Sequence, residues 1–145
     1  MIDVGGKDVT VRTAEAQGRI VLGEEAFDVL KQRGCRKGNV LETAKVAAIQ
    51  AVKSTPTLIP MCHPILVEAV EVDFDFDEQE KSVIASVTVR STGKTGVEME
   101  AMCGAAAACL TIYDMLKYVS RAMTIGGVKL IEKTGGKSGE YKSGK

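Results

Sequence analysis

The sequence predicts an α+β fold: a mostly antiparallel four-stranded sheet with helices packed on one face. Two neighbouring segments in the middle of the chain alternate apolar and polar residues, which is the period of half-buried strands. Two other segments have apolar residues at helical spacing behind a capping sequence. The elements follow in the order strand, two helices, two strands, helix and strand, without a long linker or a repeat, which is typical of one α+β domain over residues 1–145.

The chain is predicted to begin with an arm, a short strand and a helix. Residues 1–17 are polar and mixed, so they are interpreted as an N-terminal arm. Residues 19–22 are a short strand candidate. Apolar residues then recur at helical spacing over residues 24–33, and Gly34 is expected to end this helix.

A second helix is predicted to begin at Asn39. Asn39 and Glu42 have the spacing of a capping box, in which the first side chain accepts from a backbone N–H of the first turn. The helix is expected to reach about Lys53, and its many alanines would allow close packing.

The remaining strands form a hairpin and one isolated strand. Residues 65–76 and 83–90 alternate apolar and polar side chains across a polar turn, which predicts an antiparallel hairpin. Residues 128–133 are the last strand candidate. Residues 134–145 consist mainly of Gly, Lys and Ser and are expected to be a mobile tail.

Composition argues against several classes of protein. Lys plus Arg equals Asp plus Glu, 19 each, which does not favour general binding of nucleic acid. There is no apolar run long enough to span a membrane and no signal-peptide pattern at the N-terminus, so no membrane partner is expected. The four cysteines lack Cys-x-x-Cys spacing and the chain has one histidine, so no metal site is predicted. Unpaired cysteines fit a reducing cytoplasm.

The one histidine, His63, lies between two prolines in the segment Met61-Cys62-His63-Pro64, which Pro60 precedes. Proline fixes φ and restricts its predecessor, so this segment is expected to be stiff and non-helical. Imidazole titrates near neutral pH, which makes a rigidly held histidine a candidate site residue. The alternative is a structural histidine whose nitrogens are satisfied within a prolyl turn.

A third helix, predicted from Thr95 to near Arg121, is apolar around most of its circumference and is therefore expected to be buried. Thr95 and Glu98 match a second capping box, which would account for Glu98. Glu100 has no such role.

Asp114 and Lys117 lie three residues apart on the third helix and can pair on one face. A buried ion pair contributes little net stability, so its presence in an apolar helix favours a functional site. A purely structural ion pair is the alternative.

Glu100 and Asp114 are separated by about 21 Å along the helix axis. One small-molecule site can hardly use both from a single chain, so either they serve different ends of the protein or the site is assembled between subunits. A small-residue stretch, residues 104–108, would let a second helix approach and favours the latter.

Two Gly-Lys-Thr/Ser segments fail to match a phosphate-binding P-loop. The glycine required five residues before each Gly-Lys pair is replaced by Thr88 in one case and by Ile131 in the other. A basic helix N-terminus or the tail lysines could still bind an anion; a solvated tail is the alternative.

Three blocks of sequence resemble the molybdenum cofactor biosynthesis protein C family, the cyclic pyranopterin monophosphate synthases. The blocks are Lys-Gly-Asn-Val from Lys37, Leu-Ile-Pro-Met-Cys-His-Pro from Leu58, and Thr-Gly-Lys-Thr-Gly-Val-Glu-Met-Glu-Ala from Thr92 with Leu-Thr-Ile-Tyr-Asp-Met from Leu110. The opening Ile2-Asp3-Val4 and the Gly-Gly-Lys-Ser-Gly of the tail also match. Asn39 and Met61 are small departures, where the family commonly has Asp and Leu.

The resemblance implies a ferredoxin-like fold, a homohexamer built as a trimer of dimers, and sites at subunit interfaces. The implied reaction converts 3′,8-cyclo-7,8-dihydroguanosine 5′-triphosphate into cyclic pyranopterin monophosphate and diphosphate without a cofactor; whether Mg²⁺ accompanies the triphosphate stays open. The implied catalytic residues are Asp114 and Lys117. The implied substrate-binding residues are Met61, Cys62, His63, Met99, Glu100, Lys37, Lys53 and Lys133.

The residue types suit such a reaction. Several proton transfers need groups with shifted pKa values, and phosphate charge needs cations. Cys62 is expected to shape the site, since nothing in the reaction calls for a thiolate. The rival interpretation is a non-catalytic module that binds a purine nucleotide; it explains the lysines and glycines but not a charged pair in an apolar helix.

Overall fold

A computed structural model of the chain describes residues 1–32 and 35–144. The described part contains five strands and three helices. In chain order these are β1 (Thr10–Val21), α1 (Glu24–Lys31), α2 (Val40–Leu58), β2 (Val67–Asp77), β3 (Ser82–Gly93), α3 (Glu98–Leu116), β4 (Thr124–Thr134) and β5 (Tyr141–Lys142).

The strands form one antiparallel sheet in the order β2-β3-β1-β4-β5. α3 lies against β1, β3 and β4, and α2 packs on α3 and β2, so both helices cover the same face. The predicted α+β class with a mostly antiparallel sheet is therefore confirmed. The strand count of four was too low by one, because the two-residue β5 has no apolar alternation to mark it.

The predicted N-terminal arm is largely wrong, since residues 10–17 belong to the central strand β1. β1 does alternate, with Ala14, Ala16 and Ile20 fully buried beneath the helices. Its inward positions are occupied mostly by small residues, which give a weak hydrophobic signal. Gly18 is one of them, and a Cβ there would lie 3.1 Å from the Sγ of Cys109 and 3.2 Å from the carbonyl oxygen of Ala105. β1 therefore lies in close contact with α3.

The first two helices follow the predicted starts and differ at their ends. α1 is assigned through Lys31, while Arg33 and the predicted stop at Gly34 lie outside the described residues. Asn39 caps α2 as predicted, its Oδ1 accepting from the backbone N–H of Glu42 at 3.2 Å. α2 continues past Lys53 through Pro56 to Leu58. Proline is tolerated there because only one hydrogen bond near the end of the helix is lost.

α3 begins later and ends earlier than predicted. Its N-cap is Val97, which makes no side-chain cap, so the capping box at Thr95 is wrong. α3 ends at Leu116, and β4 begins at Thr124, earlier than the predicted strand start. α3 is long and apolar enough to cross a membrane by length and composition, contrary to the sequence expectation. Here it is the central core helix, covered on one side by the sheet and flanked by α2.

The small residues of α3 serve packing within the chain. A Cβ on Gly104 would lie 2.9 Å from Val52 Cγ2 of α2 and 3.0 Å from Val87 Cγ1 of β3. The close helix partner that the small-residue stretch predicted is thus α2 of the same chain, and the stretch no longer supports an interface. The outer face of α3 is instead the one that carries exposed Leu110.

The hairpin of β2 and β3 confirms the predicted pair with slightly shifted ends. The tail is partly ordered into structure rather than free, because β5 pairs with β4 through Glu132↔Lys142 and Lys133↔Tyr141. The backbone N–H of Ser143 also donates to the carbonyl of Ile131 at 2.7 Å. Lys133 donates both to Glu98 of α3 and to Ser138 of the loop between β4 and β5, so this loop lies near the N-terminal end of α3.

Candidate functional site

At the C-terminal end of α3, one carboxylate lies between two lysines. Lys117 Nζ donates to Asp114 Oδ1 at 2.6 Å, and Lys37 Nζ donates to Asp114 Oδ2 at 3.0 Å and to the Asp114 carbonyl at 2.7 Å. Lys37, Asp114 and Lys117 are hereafter the Asp114 cluster. The hydrogen bonds from both lysines, with Lys117 contributing most, hold the pKa of Asp114 below its usual value.

The loop before α2 places Lys37 in this cluster. The Sγ of Cys35 donates to the Met115 carbonyl at 3.5 Å, and the backbone N–H of Arg36 donates to the Tyr118 hydroxyl at 3.1 Å. The loop is thus attached to the last turn of α3 and to the segment that follows it. The Asn39 cap then fixes where α2 starts, so the chain is held on both sides of Lys37.

The expectation that the Asp114–Lys117 pair is buried is wrong for the single chain. The side chains of Asp114 and Lys117 are 57% and 51% exposed. The buried residues of α3 face the sheet and α2, while Leu110, Asp114 and Lys117 recur every three or four residues on its outer face. Although α3 is apolar nearly all round, only the sheet and α2 cover it, so its outer face remains exposed in the single chain.

The N-terminal end of α3 holds an acid of the opposite kind. Glu100 is buried, with 3% of its surface exposed. Removal from water raises its pKa above the usual glutamate value, and nearby Glu98 adds to the rise, while a hydrogen bond to the backbone of Glu100 opposes it. This carboxyl group is therefore poised to hold a proton.

The proline-bracketed segment lies beside this end of α3. It is non-helical as predicted, with a turn in which the Cys62 N–H donates to the Ile59 carbonyl at 3.1 Å. Burial raises the pKa of Cys62, and Glu100 and Cys103 raise it further, so the thiol is protonated and unsuited to nucleophilic attack. His63 is half-buried on the same segment, and Met61 is exposed.

A cavity of about 640 Å³ opens beside the same helix end. Five cationic and two acidic side chains reach it, together with small and hydroxyl residues: Lys7, Arg12, Lys94, Lys133, Lys137, Asp8, Glu98, Gly6, Thr10, Thr95, Gly96, Gly136 and Ser138. We call it the basic cavity. The excess of cations fits a ligand with several negative charges.

Arg12 is the most buried cation of the basic cavity, with 8% of its surface exposed. Among the residues that the structure describes, its guanidinium makes one hydrogen bond, from Nε to the Gly93 carbonyl at 3.4 Å, and no carboxylate lies within ion-pair distance, although the charge of Arg12 still reaches Glu98. Gly135 and Gly136, with φ of +88° and +81°, fold the β4–β5 loop against it. A Cβ on Gly136 would overlap the guanidinium. A buried, unpaired guanidinium is costly unless an anion binds it.

The predicted residues fall into two groups at opposite ends of α3. Lys37, Asp114 and Lys117 meet at one end; Glu100, Lys133 and the segment of Met61, Cys62 and His63 lie around the other, with half-buried Met99 in the first turn. Lys53 is exposed on α2, and in the described chain no hydrogen bond or ion pair joins it to either group. The sequence analysis missed Arg12, which it had placed in the arm, whereas it named the basic segment around Lys94 and the tail lysines, Lys137 among them, as possible anion-binding groups without assigning them to the site. No group of three potential metal-ligating side chains occurs among the described residues.

The chain was compared with known proteins. The model of the MoaC family matches residues 1–136. A cyclic pyranopterin monophosphate synthase of Parvibaculum lavamentivorans is 48% identical over 143 residues, covering 99% of this chain and 89% of the relative. Synthases of the same name from Bacillus thuringiensis and Helicobacter pylori are 49% and 46% identical, covering 97% and 100% of this chain and 89% and 92% of theirs. These matches, which span nearly the whole chain, show that the chain belongs to the MoaC family.

Proposed function

We propose that the protein is a cyclic pyranopterin monophosphate synthase, a lyase that converts 3′,8-cyclo-7,8-dihydroguanosine 5′-triphosphate into cyclic pyranopterin monophosphate and diphosphate. The observation that carries this proposal is the Asp114 carboxylate bracketed by Lys37 and Lys117. Relatives that are nearly half identical over almost the whole chain bear the synthase name. The pair of site groups provides both kinds of chemistry that the reaction requires.

The Asp114 cluster supplies a base and two proton-carrying cations. With its pKa lowered, Asp114 is ionised at neutral pH and can accept a proton from the opening purine-derived ring. Lys117 and Lys37, hydrogen-bonded to it, can return protons or stabilise negative charge on an oxygen of the substrate. Glu100, whose pKa is raised by burial, can serve as a proton donor at the other end.

The basic cavity is proposed to hold the triphosphate. Arg12 forms no direct ion pair within the described chain, although Glu98 lies close enough to feel its charge, and four lysines surround the same space. Charge develops on phosphate oxygens as the cyclic phosphate closes and diphosphate leaves, and cations fixed in advance stabilise it. His63 follows Cys62, whose thiol lies near Glu100, and it would contact the part of the substrate that extends out of the cavity.

The two groups are proposed to meet across subunits. α3 is one continuous helix, so Glu100 and Asp114 remain about 21 Å apart along its axis. A substrate can contact both kinds of residue if one subunit supplies the Asp114 cluster and its neighbour supplies the basic cavity, as in the proposed homohexamer of three dimers. The proposed enzyme acts in the cytoplasm without a resident cofactor, and any Mg²⁺ enters with the triphosphate.

Turnover of the cyclic dihydroguanosine triphosphate tests the proposal. Purified protein is incubated with this substrate with and without Mg²⁺, and diphosphate and the cyclic pyranopterin product are measured by chromatography. A synthase releases both in equal amounts. A purine-nucleotide-binding module that is not an enzyme would bind the substrate and return it unchanged, which would reject the proposed function.

A further inference from the structure

Glu98 occupies an unexpected place. It neither caps α3 nor faces solvent freely; its Oε1 accepts from Lys133 Nζ at 2.8 Å. The same ammonium donates to Ser138 Oγ at 2.9 Å. The side chains of Lys133 and Glu98 are 21% and 27% exposed, so this contact is more enclosed than the pairs of the Asp114 cluster.

The position of this carboxylate depends on Gly96. A Cβ at Gly96 would overlap Oε2 of Glu98, so the carboxylate lies where a side chain on residue 96 would otherwise be. The overlap involves the far end of a flexible side chain, and Gly96 has no positive φ. An alanine at this position would therefore move the carboxylate without straining the backbone.

The charge of Glu98 is unfavourable for binding an anion. Burial opposes ionisation of Glu98, but the hydrogen bond and charge of Lys133, a hydrogen bond to the backbone of Glu98 and the charge of Arg12 outweigh burial and lower its pKa, so it is ionised at neutral pH. It lines a cavity in which Asp8 is the other acid. A negatively charged side chain inside a cavity that binds a polyanion weakens that binding by repulsion. Glu98 must therefore contribute something other than affinity.

We propose that Glu98 is a positioning residue that fixes the ammonium of Lys133 for the phosphate chemistry. It does so as a hydrogen-bond acceptor, in partnership with Ser138. The inference rests on the proposed function, because it takes Lys133 to act on the departing diphosphate. Lys133 on β4 has a long flexible side chain. Its two hydrogen-bond acceptors, Glu98 and Ser138, order this side chain before the reaction, so less conformational entropy is lost in the transition state.

Three variants separate the acceptor geometry of Glu98 from its charge. Gly96→Ala keeps every charge and displaces the acceptor. Glu98→Gln keeps an amide oxygen as acceptor and removes the charge. Glu98→Ala removes both. Gly126→Ala is the matched control, because a Cβ there meets nothing within 4 Å and its φ is ordinary.

Steady-state turnover gives kcat, and isothermal titration with inorganic tripolyphosphate gives the affinity of the basic cavity. We expect Gly96→Ala and Glu98→Ala to lower kcat by on the order of tenfold to a hundredfold. Glu98→Gln should largely retain kcat. Tripolyphosphate should bind more tightly to both Glu98 variants and about equally to Gly96→Ala.

An unchanged kcat in Gly96→Ala would overturn the positioning role. So would a loss in Glu98→Gln as large as that in Glu98→Ala, because charge rather than acceptor geometry would then matter. A wild-type protein without turnover would reject the proposed function and this inference together, whereas an active wild type with fully active Gly96→Ala and Glu98→Ala variants would reject the inference alone.

Discussion

The two ends of α3 carry carboxylic acids whose environments shift their pKa values in opposite directions. At the N-terminal end, burial raises the pKa of Glu100. At the C-terminal end, Asp114 is exposed, and Lys117 and Lys37 lower its pKa. One helix thus presents a carboxyl group that tends to keep its proton and a carboxylate that stays ionised and has a free oxygen lone pair, and such a separation of pKa values is how acid and base roles are divided in many active sites.

The helix dipole alone would give the reverse arrangement. An anion is stabilised at a helix N-terminus and destabilised at the C-terminus, by about 0.3–1 kcal/mol each. Glu100 lies in the first turn of α3 and Asp114 near its end. Desolvation at one end and two charge-assisted hydrogen bonds at the other outweigh this modest term. The immediate surroundings of each acid therefore decide its protonation.

The largest effect is expected from the Asp114 cluster. Asp114→Asn, Lys117→Met and the double variant should each lose roughly 10²–10⁴-fold in turnover, because residues that transfer protons as a unit are not additive. Their melting temperatures should stay close to that of the wild type, since the pair is exposed. Glu78→Gln, which breaks the exposed Lys31–Glu78 pair, is the control and should retain activity. Variants that melt early yet remain active would make the cluster a structural ion pair.

His63→Ala is expected to lose most turnover while fold and assembly persist. The imidazole is half-buried on the stiff segment beside Glu100, so its loss removes a substrate contact without opening the core. Kinetics, circular dichroism and light scattering check the three claims. Leu66→Ala, at an 82% exposed position just after the segment, should behave like the wild type. Near-normal activity of the histidine variant would return His63 to a structural role.

A mixing experiment tests whether the two ends of α3 cooperate across subunits. His63→Ala and Asp114→Asn chains, each nearly inactive, should recover part of the turnover when they are co-expressed and share an oligomer. Co-expressed Asp114→Asn and Lys117→Met chains, with both changes in one cluster, should recover none. A single species at monomer mass in light scattering at micromolar concentration would contradict the shared site.

The smallest effect concerns the stability contributed by Glu100. Because its folded pKa is raised, its favourable contribution is complete below the ordinary glutamate value and is lost as pH rises through the folded pKa. Glu100→Gln abolishes that loss, so its melting temperature relative to the wild type should increase between about pH 4 and about pH 7.5. Exposed Glu71→Gln serves as control. A difference that is constant with pH would mean that Glu100 is not desolvated in the folded protein.

Local signals predicted the elements that depend on them. The Asn39 cap and the β2–β3 hairpin need only neighbouring residues, and both were found. β1 was missed over most of its length because Ala14, Ala16 and Gly18 bury little apolar surface yet leave room for α3.

The site was predictable only in part for the same reason. Asp114 and Lys117 are neighbours on one helix, so their contact follows from spacing. The basic cavity joins the N-terminal segment, the β3–α3 loop and the β4–β5 loop, which are distant in sequence. Arg12 could have been found only by recognising that it belongs to β1, the strand that pairs with both β3 and β4 and so lies between the loops that follow them. Exposure of the Asp114 cluster depends on which faces of α3 other elements cover, and the sequence near Asp114 does not indicate this.

The close contacts of Gly104 and Gly18 fix the axial position and the rotation of α3 relative to the sheet. Gly104 lies tightly against Val52 and Val87, and Gly18 lies against Cys109, so the helix cannot slide along or turn over the sheet. One residue inserted between these contacts and Asp114 would rotate the cluster by about 100° and shift it by about 1.5 Å. Natural change in such proteins should therefore accumulate in loop lengths and spare the residue count of this helix. The same constraint offers designers a way to uncouple the two acids by one insertion, without substituting any existing residue.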